Sequence, residues 1–419
     1  MFCLQRNIQQ AVSIAIFLLL GATASRASDL DAVSISANIQ RFHMPYGTVL
    51  DPVFASSDPA SADFARIVSY ARAGDSAIWT GHYLAAEAFR YHVTRSPEAL
   101  QNVFKAIRGI RTLIDITGTD LLARCLVPAD SPYAAAIQQA EGGHGIHYAK
   151  LEGKDFFWIG DTSRDQYSGV MFGMVTAYDL IDNPAIRNFI RADVTRMLNF
   201  LLRHAWSVVM PDGTISTSYL LRPDQVLSFL QIGRHIDAET FAATYSSYRN
   251  TYAGATYLPI AYDNVDDHNH YFKFNLNYIN LYSLVRLEEE DSPYRQNYLR
   301  AYDALRRRTR SHMNAHFNVI DRALSGPDAA RDAEIVQALD QWLRRSRRDY
   351  WIDLRGKYLS CLQADRACNV IPVAQRINTD FLWQRSPFLL YGGGFGTTET
   401  AGIDYILSYW MARSFGLLP

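Results

Sequence analysis

The chain is poor in glycine and proline, in lysine, in net charge and in strand-like alternation, and beyond its first residues it lacks long apolar runs. Glycine and proline together make 39 of 419 residues, which excludes a collagenous, low-complexity or disordered protein. The formal net charge is -1, which argues against a nucleic-acid surface. Lysine occurs 5 times against 36 arginines, a bias that reads as genome composition rather than function. No strict internal period is visible, which weighs against tetratricopeptide and ankyrin arrays. What is there is apolar substance: 48% of residues are hydrophobic, and a chain this long buries ~75% of the surface its unfolded form exposes.

The one apolar run stands at the start. Arg6 gives a basic beginning, residues 11–24 are almost wholly apolar, and Ser25-Arg26-Ala27 fits a small-residue cleavage site, with Ala22-Thr23-Ala24 as an alternative. Residues 1–27 are therefore expected to be a secretory signal peptide, too short for the ~20 residues of a membrane span. Periplasmic or secreted localisation follows, with no transmembrane span after signal removal. Of the remaining cysteines, Cys361 and Cys368 are the natural pair for an oxidising compartment, and Cys125 is left as a buried thiol.

Residues 28–60 read as an irregular N-terminal segment. From there the period is helical, with apolar residues three and four apart. Helices are expected over 62–72, 77–92 and 97–117, the last opened by Ser96 as N-cap and Pro97 in the first turn. Residues 125–160 read as a long irregular loop. Helices resume at 162–181, 184–208, 223–233, 238–252, 270–290, 292–315, 328–345 and 398–415. Strand signals are confined to small hairpins at 212–216 and 257–260. The 162–181 helix is apolar nearly all round, with Gly169 and Gly173 four apart. Such a helix must be enclosed by protein, and small residues at that spacing admit another backbone. Alternation of enclosed and amphipathic helices points to an inner ring wrapped by an outer one.

Three segments carry a resemblance: Gly160-Asp161-Thr162-Ser163-Arg164-Asp165-Gln166-Tyr167, Asp267-His268-Asn269-His270-Tyr271, and the end from Tyr391-Gly392-Gly393-Gly394 through Glu399 to Tyr409-Trp410. Across roughly 60–419 the chain resembles the (α/α)6 toroid, the six-hairpin fold of many secreted bacterial carbohydrate-active enzymes. The resemblance implies an all-α fold, a single toroid domain over 61–419 with long loops on one face and minor β-hairpins. It also implies a cleft at one end of the inner ring, where sugars stack on aromatics between acidic residues.

The candidate residues follow from the chemistry that such a cleft needs. Asp165 and Asp161 stand where an irregular segment meets an enclosed helix. A carboxylate near Arg164 would stay ionised and serve as base, and a desolvated one would hold a proton and serve as acid. The competing reading is helix capping, with Thr162 and Asp165 as a capping box. Glu141, in a glycine-rich stretch read as a flexible lid, is the further acid candidate. Arg164, Tyr167, Trp79, His82, His268, His270 and Glu399 are candidate sugar contacts, Trp79 by stacking on a pyranose face. Glu399 follows a Gly392-Gly393-Gly394 run that would let backbone approach a ligand. A metal reading of His268 and His270 rests on a loose H-x-H pattern, so no metal and no cofactor is expected.

The expected function is a glycoside hydrolase cleaving an oligo- or polysaccharide by carboxylate acid/base catalysis. A polysaccharide lyase, with His270 or Tyr271 taking a proton and Asn275 or Arg164 holding a carboxylate, is the alternative on the same scaffold. A non-catalytic glycan-binding envelope protein is the third. Sugar, linkage and oligomeric state stay open.

Overall fold

The structure, a computed structural model, describes residues 27–377 and 381–418; the expected signal peptide lies outside the described residues but for Ala27. Helix starts follow capping residues. Asn183 accepts hydrogen bonds from the Ala185 and Ile186 amides ahead of Pro184, Ser96 accepts from Ala99 ahead of Pro97, and Asp328 accepts from Ala330 and Arg331. The fold is mostly helical. In chain order the helices are α1 (Asp29–Asn38), α2 (Ser76–Thr94), α3 (Pro97–Asp115), α4 (Ala134–Glu141), α5 (Arg164–Leu180), α6 (Pro184–Arg203), α7 (Pro223–Ile236), α8 (Ala238–Tyr252), α9 (Tyr257–Asp263), α10 (Phe272–Leu287), α11 (Arg295–Thr309), α12 (Ala315–Ser325), α13 (Ala329–Trp342) and α14 (Ile403–Ser414).

Burial sorts these helices into two kinds. In α14, 10 of 12 residues are buried, whereas in α8 only Phe241 and Tyr245 of 15 are. Helices α2, α5, α7 and α10 share the all-round burial of α14. These five and α12 pack in sequence, α2 on α5, α5 on α7, α7 on α10, α10 on α12, α12 on α14, and α14 back on α2. The amphipathic α3, α6, α8, α11 and α13 each pack on the buried helix that precedes them, and α1 packs on α14. One core cluster runs from Ala32 to Ala412.

Strands are more extensive than expected. Strands β1 (Asp51–Phe54), β2 (Ile67–Ala71), β8 (Arg348–Asp353) and β9 (Tyr391–Glu399) form an antiparallel sheet in the order β2-β1-β9-β8. Strands β3 (Cys125–Pro128), β4 (Ile146–Leu151) and β5 (Lys154–Ile159) form a second, in the order β3-β5-β4, and β6 (Ser207–Val209) pairs with β7 (Ile215–Ser218).

Several expectations are corrected. Residues 28–60 are not irregular, since they hold α1 and β1. The 62–72 stretch is a turn and then β2, where Val68 and Tyr70 alternate with Ile67, Ser69 and Ala71. The 125–160 loop is a three-stranded sheet with α4 inserted. The 257–260 hairpin is α9, which tolerates Pro259 because first-turn amides need no intrahelical partner. Residues 398–402 belong to β9 and a turn, and α12 falls where no helix was expected. A disulfide joins Cys361 to Cys368, and Cys125 is a buried free thiol, its pKa pushed up to about 12 by burial. No helix among the described residues is long and apolar enough to cross a membrane.

Candidate functional site

Four of the all-round buried helices begin at one mouth. The start of α2 brings Ile78 and Trp79, α5 brings Arg164 and Asp165, α7 brings Gln225 just after Arg222, and α10 brings Phe272, Lys273, Asn275 and Asn277. Helix starts carry unpaired N–H groups and a positive dipole end. The mouth holds three adjoining compartments of about 380, 280 and 310 Å³. Asp165 and Leu276 line the first two, Asn269 and His270 the first and third, Gln384 the second and third, and Phe272 all three.

Thr162 and Asp165 form no capping box, and the Asp165 carboxylate meets its own backbone amide. Thr162 turns its hydroxyl to the Leu122 carbonyl (2.6 Å), and the N-cap Ser163 makes no side-chain cap bond. Burial raises the Asp165 pKa, against the pull of Arg124, Arg164 and Arg222. Arg124 cannot swing freely to neutralise it. Its Nε donates to the Asp161 carbonyl (2.9 Å) and its Nη1 to the Gly74 carbonyl (2.7 Å). Arg222 is held as well, by Asp224 (2.7 Å), Asp263 (2.9 Å) and Asn277 (2.7 Å). A carboxyl so placed can hold a proton to higher pH than an ordinary aspartate.

The second compartment contains a carboxylate that the sequence reading did not select. Asp75 directly precedes α2. Its Oδ1 accepts from Gln166 Nε2 (3.3 Å) and stands 3.9 Å from Arg124 Nη1. Gln166, fully buried, is itself fixed by accepting from the Ile78 amide (2.9 Å). Asp75 and Asp165 therefore face one compartment with Trp79, Asn275 and Gln384. The available sequence signal was the acidic residue at a helix start, the same signal that picked Asp165.

The other candidates separate. Trp79 lines the second compartment, packed against Phe381 (4.7 Å between ring centroids) and Trp383. Arg164 lines the first, and donates to the Ser218 carbonyl (3.1 Å). His270, at φ +50°, lines the first and third, and His268 the third. Between them the loop is shaped by Asp266, which accepts from the His268 and Asn269 amides. Among the described residues no group of three or more His, Cys, Asp or Glu is arranged to hold a metal.

Asp161, exposed and at φ +46°, and Glu141, whose Oε2 meets His144 Nδ1 at 2.8 Å, line none of the three compartments. Tyr167 is buried in the core, its hydroxyl accepting from the Leu122 amide. His82 is fully buried beneath the second compartment. Glu399 lies apart, at the end of β9. It accepts from Asn38 (3.0 Å) and Arg348 (3.1 Å) and stands 3.5 Å from both His43 and Arg347. Burial opposes its ionisation, but His43 and Arg347 hold its pKa down to about 2. In the glycine run before it, Gly393 admits β8: a Cβ there would lie 2.5 Å from the Tyr350 carbonyl oxygen.

No protein-family model matches the chain, and no curated protein matches its sequence.

Proposed function

We propose that the chain is a glycoside hydrolase on an (α/α)6 toroid, exported to the periplasm or beyond, acting on an oligo- or polysaccharide. The closed circuit of six buried helices, each with an amphipathic partner, supports the toroid. The disulfide supports an oxidising compartment. The observation that carries the chemistry is the place of Asp165, a carboxyl with a raised pKa that lines two compartments and shares the second with Asp75. Asp165 gives its proton to the leaving glycosidic oxygen as that C–O bond breaks. Asp75 takes a proton from the water whose oxygen bonds to the sugar carbon. Trp79 and Phe272 bury the apolar faces of the rings. Asp161 and Glu141 take no part in this reading.

Incubation with a panel of polysaccharides tests it. New reducing ends without new ultraviolet absorbance are expected, and Asp165→Asn should lower turnover by about 10²–10⁴-fold. Absorbance from a new double bond would instead mean a lyase, and binding without cleavage a glycan-binding protein. Unchanged activity per folded molecule in Asp165→Asn would remove Asp165 from the chemistry.

A further inference from the structure

The floor of the second compartment contains a polar side chain whose orientation is dictated from below. Asn275 is 1% exposed, yet its Oδ1 accepts no hydrogen bond from any described residue. Buried acceptors of this kind are costly unless something supplies a donor. Its other amide atom is engaged: Nδ2 stands 3.1 Å from His82 Nε2. His82 Nδ1 stands 2.8 Å from the Ile78 carbonyl oxygen. A carbonyl can only accept, so Nδ1 bears the hydrogen. Burial lowers the His82 pKa to about 4, so the ring is neutral near pH 7 and Nε2 is an acceptor. Nε2 therefore requires the NH₂ of Asn275, and Oδ1, itself buried, is left as the unmet acceptor of a residue that lines the compartment. Rotating the amide would set an oxygen against the lone pair of Nε2. Nor does the ring have slack: it packs on Trp383 (5.2 Å) and Phe172 (5.6 Å).

We infer that Asn275 is a substrate-positioning residue, held by His82 to accept a hydrogen from a free, uncharged hydroxyl of the sugar unit beside Asp165 and Asp75. The inference rests on the glycoside reading and narrows its substrate class. A sugar lacking that hydroxyl leaves the acceptor unmet, and a carboxylate or sulfate ester in its place sets oxygen against oxygen. Neutral sugar units with that hydroxyl free fit, and units modified at that position do not.

The test uses the full mature chain and monosaccharide probes: glucose, galactose, mannose and xylose, their singly deoxygenated forms, and glucuronic and galacturonic acids. By calorimetry, one neutral sugar should bind, and removal of one particular hydroxyl should weaken it about tenfold in the wild type but under about twofold in Asn275→Ala. Spectra of ¹⁵N-histidine-labelled wild type, which need no variant to fold, should show His82 as the Nδ1–H tautomer. An Nε2–H tautomer, or the same deoxy-sugar discrimination in Asn275→Ala as in the wild type, overturns the inference. So does failure of every probe to bind at about 50 mM. If polysaccharide is still cleaved in those cases, only the Asn275 assignment falls; if it is not, the glycoside reading falls with it.

Discussion

Asp165 shows what a partly buried carboxyl costs the fold. Its folded pKa lies above the ordinary carboxylate value because burial disfavours the charge. The folded state therefore binds this proton more tightly than the unfolded state does. Stability from that preference is present at low pH and is lost as pH rises through the folded pKa. At neutral pH the half-buried carboxylate is a liability, and Asp165→Asn should raise the thermal midpoint. The gain should vanish near pH 3, where both states are protonated. Calorimetric melts at pH 7 and pH 3 check it, and a lower midpoint for the variant at pH 7 would show that its carboxylate stabilises the start of α5. The sequence marked Asp165 as a polar residue at the mouth of an enclosed helix, with capping as the rival account. The Thr162 half of that rival falls on a long-range contact, since the Thr162 hydroxyl is held by the Leu122 carbonyl 40 residues away. Asp75 and Gln384 stayed hidden for the same reason. Nothing local in their surroundings says that three separate helix starts and a loop converge.

The helices were largely legible and the strands were not, and the difference is one of range. A helix is specified by neighbours three and four apart, so the spacing along α5 through α8 reads directly. Strand β9 is a glycine-rich run whose partners lie in β8 and β1, and its extended form follows from that pairing alone. The glycines at 169 and 173 were read as admitting a second backbone, and α2 is that backbone: a Cβ on Gly173 would lie 2.2 Å from the Gly81 carbonyl oxygen, and one on Gly81 2.1 Å from that of Gly169. Gly173→Ala thus sets two effects against each other. Alanine favours the helix by about 1 kcal/mol, while overpacking against backbone that cannot rotate away costs about 1–3 kcal/mol or more. The clash should win, and urea unfolding should show a net loss of stability with an unchanged m-value. A variant as stable as the wild type would mean that α2 and α5 have room to separate.

At the scale of the whole molecule, the first described helix is fastened to the last. Helix α1 packs on α14, the Tyr409 hydroxyl donates to Asp29 (2.6 Å), Arg413 stands 3.2 Å from Asp29, and the Ala27 amide donates to Asp340 (2.7 Å). Beside them the buried His43 lies between Asp51 of β1 and Glu399 of β9. The sequence could not disclose this, because residues 28–60 have a partner only once the last helix is in place. Glu399 is the junction, one carboxylate shared by Asn38 and His43 on the N-terminal side and Arg347 and Arg348 on the other. With its pKa held near 2, its contribution is present above about pH 4.5 and is lost as pH falls through the folded value. Removing the charge leaves buried cations without their counter-ion, a loss of about 3 kcal/mol by analogy with other broken buried pairs. Glu399→Gln should therefore loosen the N-terminal segment selectively. Amide hydrogen exchange should speed up over 29–54 while α5 and α10, which bear the cleft, keep their protection. The effect should fade at pH 2, where the wild-type carboxyl is itself partly protonated. Faster exchange throughout the molecule would show instead that the junction governs global unfolding, and unchanged exchange over 29–54 would show that the remaining contacts of α1 hold it to α14 without that carboxylate.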